Sequence, residues 1–522
     1  MVRVIFVLAS LAISAGISAL AIFHHQYWWF AFILFGPLIL IGFKDMLQNK
    51  HAIRKNFPLI GNIRYMLEAV SPEIQQYFVE RRTDGAPINK NSRAIIYQRS
   101  KNLGATHPFG TEMDVYAEGY EFITHSMYPK KVKEEPRVLI GEGQCSKPYS
   151  ASLYNISAMS FGSMSKNAVL AMNKGAAKGN FYHNTGEGGV SPYHLAGGDL
   201  SWQIGTGYFG CRNEDGTFNA DMFQKTASHD SVKMIEVKLS QGAKPGKGGI
   251  LPGKKVTPEI AKIRAVPVGK DVISPSHHTA FSDPKGLLNF CDQLRDLSGG
   301  KPVGFKLCIG KVEEFEDICK AMKETGQYPD FIGIDGAEGG TGAAPLEFAN
   351  NVGLPLYVGL IMADTLLKKY EVRDKIKVIA SGKVFSGFGI FKALSMGADL
   401  TQSARSFMLS IGCIHAQLCN TNTCPVGVAT QNKHLMKGLN VEDKYVRAYN
   451  YHHNTVKAFL ELMGATGATQ PSELNTNNIK RMAEDGDVWT YTDIIASWNM
   501  VERLTGVKAT DKAGVKAPPV TA

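Results

Sequence analysis

The sequence has no cysteine pair spaced Cys-x2-Cys, no array of aromatic residues among its basic ones, and no charged residue between Val4 and Phe23. The first absence removes the knuckle on which structural zinc sites are commonly built. The second, together with the lack of any recognition motif, excludes nucleic acid as the partner behind the net charge of +10. The third excludes an ordinary soluble N-terminus, because an uncharged run of about 20 residues is long enough to cross a bilayer as a helix.

Bulk disorder is excluded as well. The chain is 44% hydrophobic and carries 53 glycines, a composition suited to a globular α/β enzyme. Its 522 residues exceed the ~250–300 at which one core usually stops growing, so one large domain with appendages, or two domains, is expected. Only "TGVKATDKAGVKAPPVTA", residues 505–522, reads as an untethered tail.

After the apolar run Val4–Phe23 comes "HHQY" and a second run, Trp28–Phe43. A cleaved signal peptide is the competing reading, with Arg3 as its basic start and "ISA" as a cleavage site. The second run, with Trp28 and Trp29 at its edge, favours a retained transmembrane helical hairpin over residues 1–43. Arg3 precedes the first span and Lys44, Lys50, Arg54 and Lys55 follow the second, while the connection has neither Lys nor Arg. Both ends therefore face the cytoplasm, which predicts a multi-pass protein of the cell (inner) membrane with its main body in a reducing compartment. From Lys44 to Lys101 there are eleven Lys and Arg against five Asp and Glu. A basic stretch beside a membrane is explained by anionic headgroups, and 44–150 is assigned as a basic juxtamembrane and barrel-entry segment.

Over 151–432, short β-branched and apolar runs alternate with helical patterns. The runs are Tyr154–Ser160, Phe181–Gly186, Met234–Ser240, Val272–Ser276, Val303–Ile309, Phe331–Gly336, Ile376–Gly382 and Ala398–Arg405. Helical periodicity is clear over Lys166–Lys178, Lys285–Leu297 and Val312–Thr325. Eight alternations over about 250 residues predict a (β/α)8 barrel, an α/β fold. The alternative, an open doubly wound sheet, would place a ligand at one switch point, whereas here most strand ends carry chemistry. Glu187 lies in "NTGEGG", and Lys238, Gln241 and Lys244 lie in "KLSQGAKPGKGG". Lys306, "DGAEGGTGAAP", "SGK" and Arg405 follow on later strands. Barrels commonly hold phosphate after strands seven and eight, so Gly382, Lys383 and Arg405 are candidates for a phosphate clamp. Residues 433–504 read as helices.

Three of the eight cysteines fall in "CIHAQLCNTNTC", at Cys413, Cys419 and Cys424. A disulfide does not suit the cytoplasm. Zinc would need a fourth ligand such as His415. Thiolates also hold iron–sulfur clusters, and a three-iron cluster needs three of them, although a four-iron cluster with one open corner and metal-free structural thiols stay open at this point. Cys145, Cys211, Cys291, Cys308 and Cys319 are scattered and read as buried hydrophobes.

"CIHAQLCNTNTCPVGVATQN", "NTGEGG", "QGAKPGKGGILPG" and "DGAEGGTGAAP" closely resemble, in order and spacing, the FMN-binding synthase domain of glutamate synthase, over about residues 56–432. The resemblance implies FMN at the C-terminal face of the barrel and a 3Fe-4S cluster on Cys413, Cys419 and Cys424. It implies that Ala158, Met159, Ser160, Lys306, Gly339, Gly340, Gly382, Lys383 and Arg405 surround FMN. It places Gln241, Lys244 and Arg264 on the carboxylates of 2-oxoglutarate, with Glu187 near the reacting centre. The implied reaction takes electrons from ferredoxin or an NAD(P)H reductase through cluster and flavin, and reductively aminates 2-oxoglutarate to L-glutamate. Lys238 and Lys306 are cations suited to the flavin's polar edge or a substrate carboxylate, and Glu187 suits proton transfer.

The sequence also departs from that family. The hairpin stands where its glutamine-hydrolysing domain is expected, the C-terminal β-helix region and a pyridine-nucleotide module are not recognised, and "TAFSDP" follows "SPSHH" in place of an acidic segment. Ammonia or another amine is therefore expected from outside the chain. Two other readings remain at this level: an FMN synthase of the N-methylglutamate synthase kind, using another amine, and a membrane-tethered FMN and iron–sulfur electron-transfer protein.

Overall fold

The computed structural model describes residues 2–104, 106–484 and 486–498; the expected tail lies outside the described residues. Two compact units are present, Met1–Lys90 and the remainder from Asn91.

In the second unit eight parallel strands close into a barrel in chain order. They are β1 (Tyr154–Ile156), β2 (His183–Asn184), β3 (Leu200–Ile204), β4 (Val232–Lys238), β5 (Val303–Leu307), β6 (Phe331–Asp335), β7 (Lys377–Ser381) and β8 (Leu400–Ser403). The fold class read from the sequence is the one observed. Two strands differ from expectation. Val272–Ile273 does not enter the barrel; it pairs antiparallel with Ile250–Leu251 in a loop ribbon, and Pro275 stands two residues past its end, where it has no N–H to extend a ladder. The missing barrel strand is β3, Leu-Ser-Trp-Gln-Ile, whose polar residues Ser201 and Gln203 are buried, Gln203 donating to Glu236, and so hide the strand pattern.

The three expected helices form over Lys166–Gly179, Pro284–Leu297 and Val312–Thr325. Ser165 caps the first by accepting the Ala168 N–H (3.1 Å), and Asp283 caps the second by accepting that of Gly286 (2.6 Å). Gly326, at φ +69°, ends the third in the left-handed region that glycine tolerates. The N-terminal mouth of the barrel is shut by a hairpin of Val138–Ile140 and Tyr149–Ala151. Ile140, Tyr149 and Ala151 pack with Met234, Phe331, Ile379 and Leu400 from the strands above. Downstream, the 25-residue helix Val441–Ala465 lies across Lys166–Gly179 so closely that a Cβ on Gly175 would stand 2.8 Å from that of Ala448. The region past it is not purely helical as expected: Ile479–Met482 and Val488–Thr490 form a small antiparallel sheet with Glu121–Ile123.

In the first unit, helices Val2–Phe23 and Ala31–Leu47 are joined through a short 3-10 turn. Two stretches, Val2–Phe23 and Gln26–Leu47, have mean hydropathies of 2.4 and 1.9 and are long and apolar enough to cross a membrane. Phe6 lies against Gly42, where a Cβ would come within 2.0 Å of its ring, so glycine is what admits the close approach.

Candidate functional site

Glu187 follows β2, and glycines of two neighbouring loops pack against its carboxylate so closely that a side chain there would have no room. A Cβ on Gly205 would fall 2.5 Å from its Oε2, and one on Gly249 1.9 Å from its Oε1. The carboxylate is thereby aimed at Lys238, the last residue of β4, whose Nζ lies 3.1 Å from Oε2. Burial pushes the Glu187 acid up, but Lys238, with Arg264 and Lys244 beyond it, overrides burial and holds it below the ordinary glutamate value. Lys244 is 1% exposed, donates to Ala343 O (2.8 Å), and is lowered to about 8 by burial and by Lys238. Burial lowers Arg264 to about 10. It donates to Ser160 Oγ and Phe161 O (3.1 Å each) and stacks on Phe209 at 5.3 Å. Three buried cations thus act on one carboxylate. Glu187 and Lys238 face a narrow cleft also lined by Thr206, Ser240, Lys247 and Ser276.

Lys306 stands in register with Lys238 on the neighbouring strand β5, and lies 3.8 Å from Glu236. Glu236, 1% exposed, also accepts from Asn184 (3.0 Å) and Gln203 (2.5 Å). Across the mouth, Gly382 has φ +151° and Lys383 φ +48°. Lys383 is lowered by burial and by the nearby Arg405. Arg405 donates to Glu338 O (2.5 Å) and fills the space beside Gly340, where a Cβ would meet its Cδ at 2.7 Å. Burial raises Glu338, and Lys383 and Arg405, with the glycine-rich turns beside them, are the groups here that suit a phosphate. The loop after β6 is tied to the "QGAKPG" loop: Gly242 N donates to Asp335 Oδ2 (2.9 Å), and a Cβ on Gly242 would strike Gly336 O at 1.7 Å.

The three cysteines follow β8. Burial pushes the Cys413 thiol up to about 12, and Cys419 and Cys424 add to the shift, so the three are within electrostatic reach of one another. Lys255 Nζ, 2% exposed, donates to Ser163 O (2.8 Å) and Cys419 O (2.9 Å) and is electrostatically coupled to Cys419 and Cys424. Among the described residues no three His, Cys, Asp or Glu side chains gather tightly enough for a single metal ion. Ligands of a cluster bind different irons and stand farther apart than ligands of one ion, and three thiols beside a buried cation suit such a group. Cys211, Cys291, Cys308 and Cys319 are buried and Cys145 half-buried.

The structure therefore brings Glu187, Lys238, Lys244, Arg264 and Ser160 together, and Gly340, Lys383 and Arg405 together. Ala158 and Met159 follow β1, where Met159 N donates to Asn184 O (3.3 Å). Gly339 N closes a turn on Gly336 O (2.8 Å). Gln241 is half-buried, and its backbone oxygen accepts from Lys244 N (3.3 Å). Sequence reasoning missed Glu236, Lys255, Glu338 and His278. His278 lies against Lys238 O (2.9 Å) and Tyr208 OH (3.0 Å) and is held neutral to about 4 by burial. "SPSHH", "DGAEGGTGAAP" and the run Met234–Ser240 contain His278, Glu338 and Glu236 without singling them out, and nothing marked Lys255.

The profile of the conserved region in glutamate synthase matches residues 112–469. The glutamate synthase large subunit-like protein YerD of Bacillus subtilis is 38% identical over 505 residues, 88% of this chain and 96% of that one. The archaeal glutamate synthase (NADPH) of Methanocaldococcus jannaschii is 34% identical over 324 residues, 62% of this chain and 60% of that relative's length. Among solved structures, flavocytochrome b2 with sulfite bound overlaps 85% of this chain and 91% of its own, at 13% identity and TM-score 0.43, too distant to inform the site.

Proposed function

The chain belongs to the glutamate synthase family of oxidoreductases, and on that premise we propose that its barrel reductively aminates 2-oxoglutarate to L-glutamate. FMN at the C-terminal mouth supplies a hydride donor, and a 3Fe-4S cluster on Cys413, Cys419 and Cys424 supplies single electrons from an external donor such as ferredoxin or an NAD(P)H reductase. Lys383 and Arg405 hold the flavin phosphate between Gly340 and Gly382. Lys244 and Arg264, with Gln241, hold the two substrate carboxylates, while Lys306 and Lys238, paired with Glu236 and Glu187, form the floor of the site. Glu187, kept ionised by Lys238, accepts the proton released as the amine adds to the keto carbon. The apolar helices Val2–Phe23 and Ala31–Leu47 form a hairpin across the cell membrane with the barrel on the cytoplasmic side.

The observation that carries this reading is the excess of buried cations over carboxylate around Glu187. Anaerobic reoxidation of the dithionite-reduced flavin tests it. With 2-oxoglutarate plus ammonia, methylamine or glutamine, one amine is expected to restore the oxidised spectrum with one amino acid formed per flavin. A flavin that stays reduced with all three overturns the synthase reading.

A further inference from the structure

Helix Gly61–Ile74 follows the two apolar helices within the first unit. Its apolar residues Ile63, Met66, Leu67, Val70 and Ile74 are each between 41% and 59% exposed, and Phe78 just beyond is 85% exposed. At the helical 100° per residue those five fall within an arc of about 100°, one continuous stripe, with Arg64, Glu68 and Ser71 off it. Water is a poor neighbour for such a stripe.

Two further observations point to what covers it. The helix start is pinned to the end of the second apolar helix: Asp45, 5% exposed, accepts Leu59 N (3.1 Å) and the Asn62 side-chain amide. The helix thus begins beside the C-terminal end of that span. Basic residues flank it on both sides, Lys50, Arg54 and Lys55 before and Arg81 and Arg82 after, with Arg54 laid over Tyr65 at 4.3 Å. A helix with an apolar stripe, basic flanks and a start beside the end of an apolar span matches a bilayer surface in hydrophobicity and charge.

Resting on the membrane reading above, we propose that Gly61–Ile74 lies in the plane of an anionic lipid surface, its Ile63, Met66, Leu67, Val70 and Ile74 stripe sunk into the headgroup–acyl boundary. Burial there is about 5–10 Å deep. The helix is a third membrane contact, and it sets the direction in which the chain leaves the bilayer.

The test is full-length protein in nanodiscs containing phosphatidylglycerol, with bromines at shallow or deep acyl positions, comparing Leu67→Trp, Glu68→Trp and the parent. Of the parent's five tryptophans only Trp28 and Trp29 lie in the hairpin, so it is the bromine-sensitive part of parent emission that reports on it. Emission added by Leu67→Trp is expected to lose most of its intensity to shallow bromines and less to deep ones, and that added by Glu68→Trp to lose little. Parent emission quenched but Leu67→Trp emission untouched overturns the inference and leaves the hairpin standing. No quenching in any sample overturns both. Leu67→Trp emission that is blue-shifted, insensitive to bromine and accompanied by a doubled protein mass assigns the stripe to a second copy, and also overturns it.

Discussion

The two ends of the barrel are made from the same eight strands and are closed in opposite ways. At the N-terminal end Ile140, Tyr149 and Ala151 fill the mouth against Met234, Phe331, Ile379 and Leu400. The packing there is close and mainly apolar, so that end stabilises the fold. At the C-terminal end Lys238, Lys244 and Arg264 converge on Glu187, and Lys383 and Arg405 lie near Glu338, with Asp335 also acting on Arg405. There the positive charge is only part-compensated, which costs stability and leaves electrostatic potential for an anionic ligand.

Substitutions separate the two ends. The largest effect on turnover is expected from Arg264→Met, which removes the buried guanidinium proposed to hold a substrate carboxylate: kcat/KM for 2-oxoglutarate falls by roughly 100-fold or more, while the circular dichroism spectrum is unchanged. Lys238→Met comes next. The lowered acid of Glu187 means that its ion pair is fully formed above the ordinary glutamate value of 4.5 and is lost as pH falls through the lower folded value. Without Lys238 burial dominates, Glu187 protonates nearer neutrality, and the acid limb of the pH–rate profile moves up, measurable by steady-state rates between pH 4 and 8.

Leu400→Ala at the opposite mouth is expected to cost about 2–5 kcal/mol of stability by denaturant unfolding, with KM for 2-oxoglutarate unchanged. If KM rose in parallel, the division of labour between the two ends would collapse. The smallest effect concerns Lys244, lowered to about 8. Its charge is present below that value and lost above it, so KM for 2-oxoglutarate rises as pH passes 8, and Lys244→Arg removes the rise.

The sequence displays the barrel wherever a β-branched run meets a functional residue, as at Met234–Lys238 and Ile376–Gly382. It conceals β3 because Ser201 and Gln203 face a polar interior in which Gln203 donates to Glu236. It overstates Val272–Ser276 because two β-branched residues look like a strand until a proline ends it. Glu187, Lys238 and Lys306 are legible as charges closing apolar runs. Lys255 is not, since "PGKKV" reads as surface, and its burial depends on Cys419, 164 residues away in sequence. Glu236 is hidden for the same reason: what satisfies it arrives from β2 and β3.

Calorimetric binding of 2-oxoglutarate and of 2-oxobutyrate, which has one carboxylate fewer, to the oxidised holoprotein above pH 8 tests the charge-starved mouth most directly. Run in buffers of different ionisation enthalpy, the titration is expected to show proton uptake with 2-oxoglutarate as Lys244 regains its charge, and an affinity for 2-oxobutyrate weaker by roughly tenfold or more. Equal affinities without proton uptake would contradict the assignment of the C-terminal mouth as a dicarboxylate site.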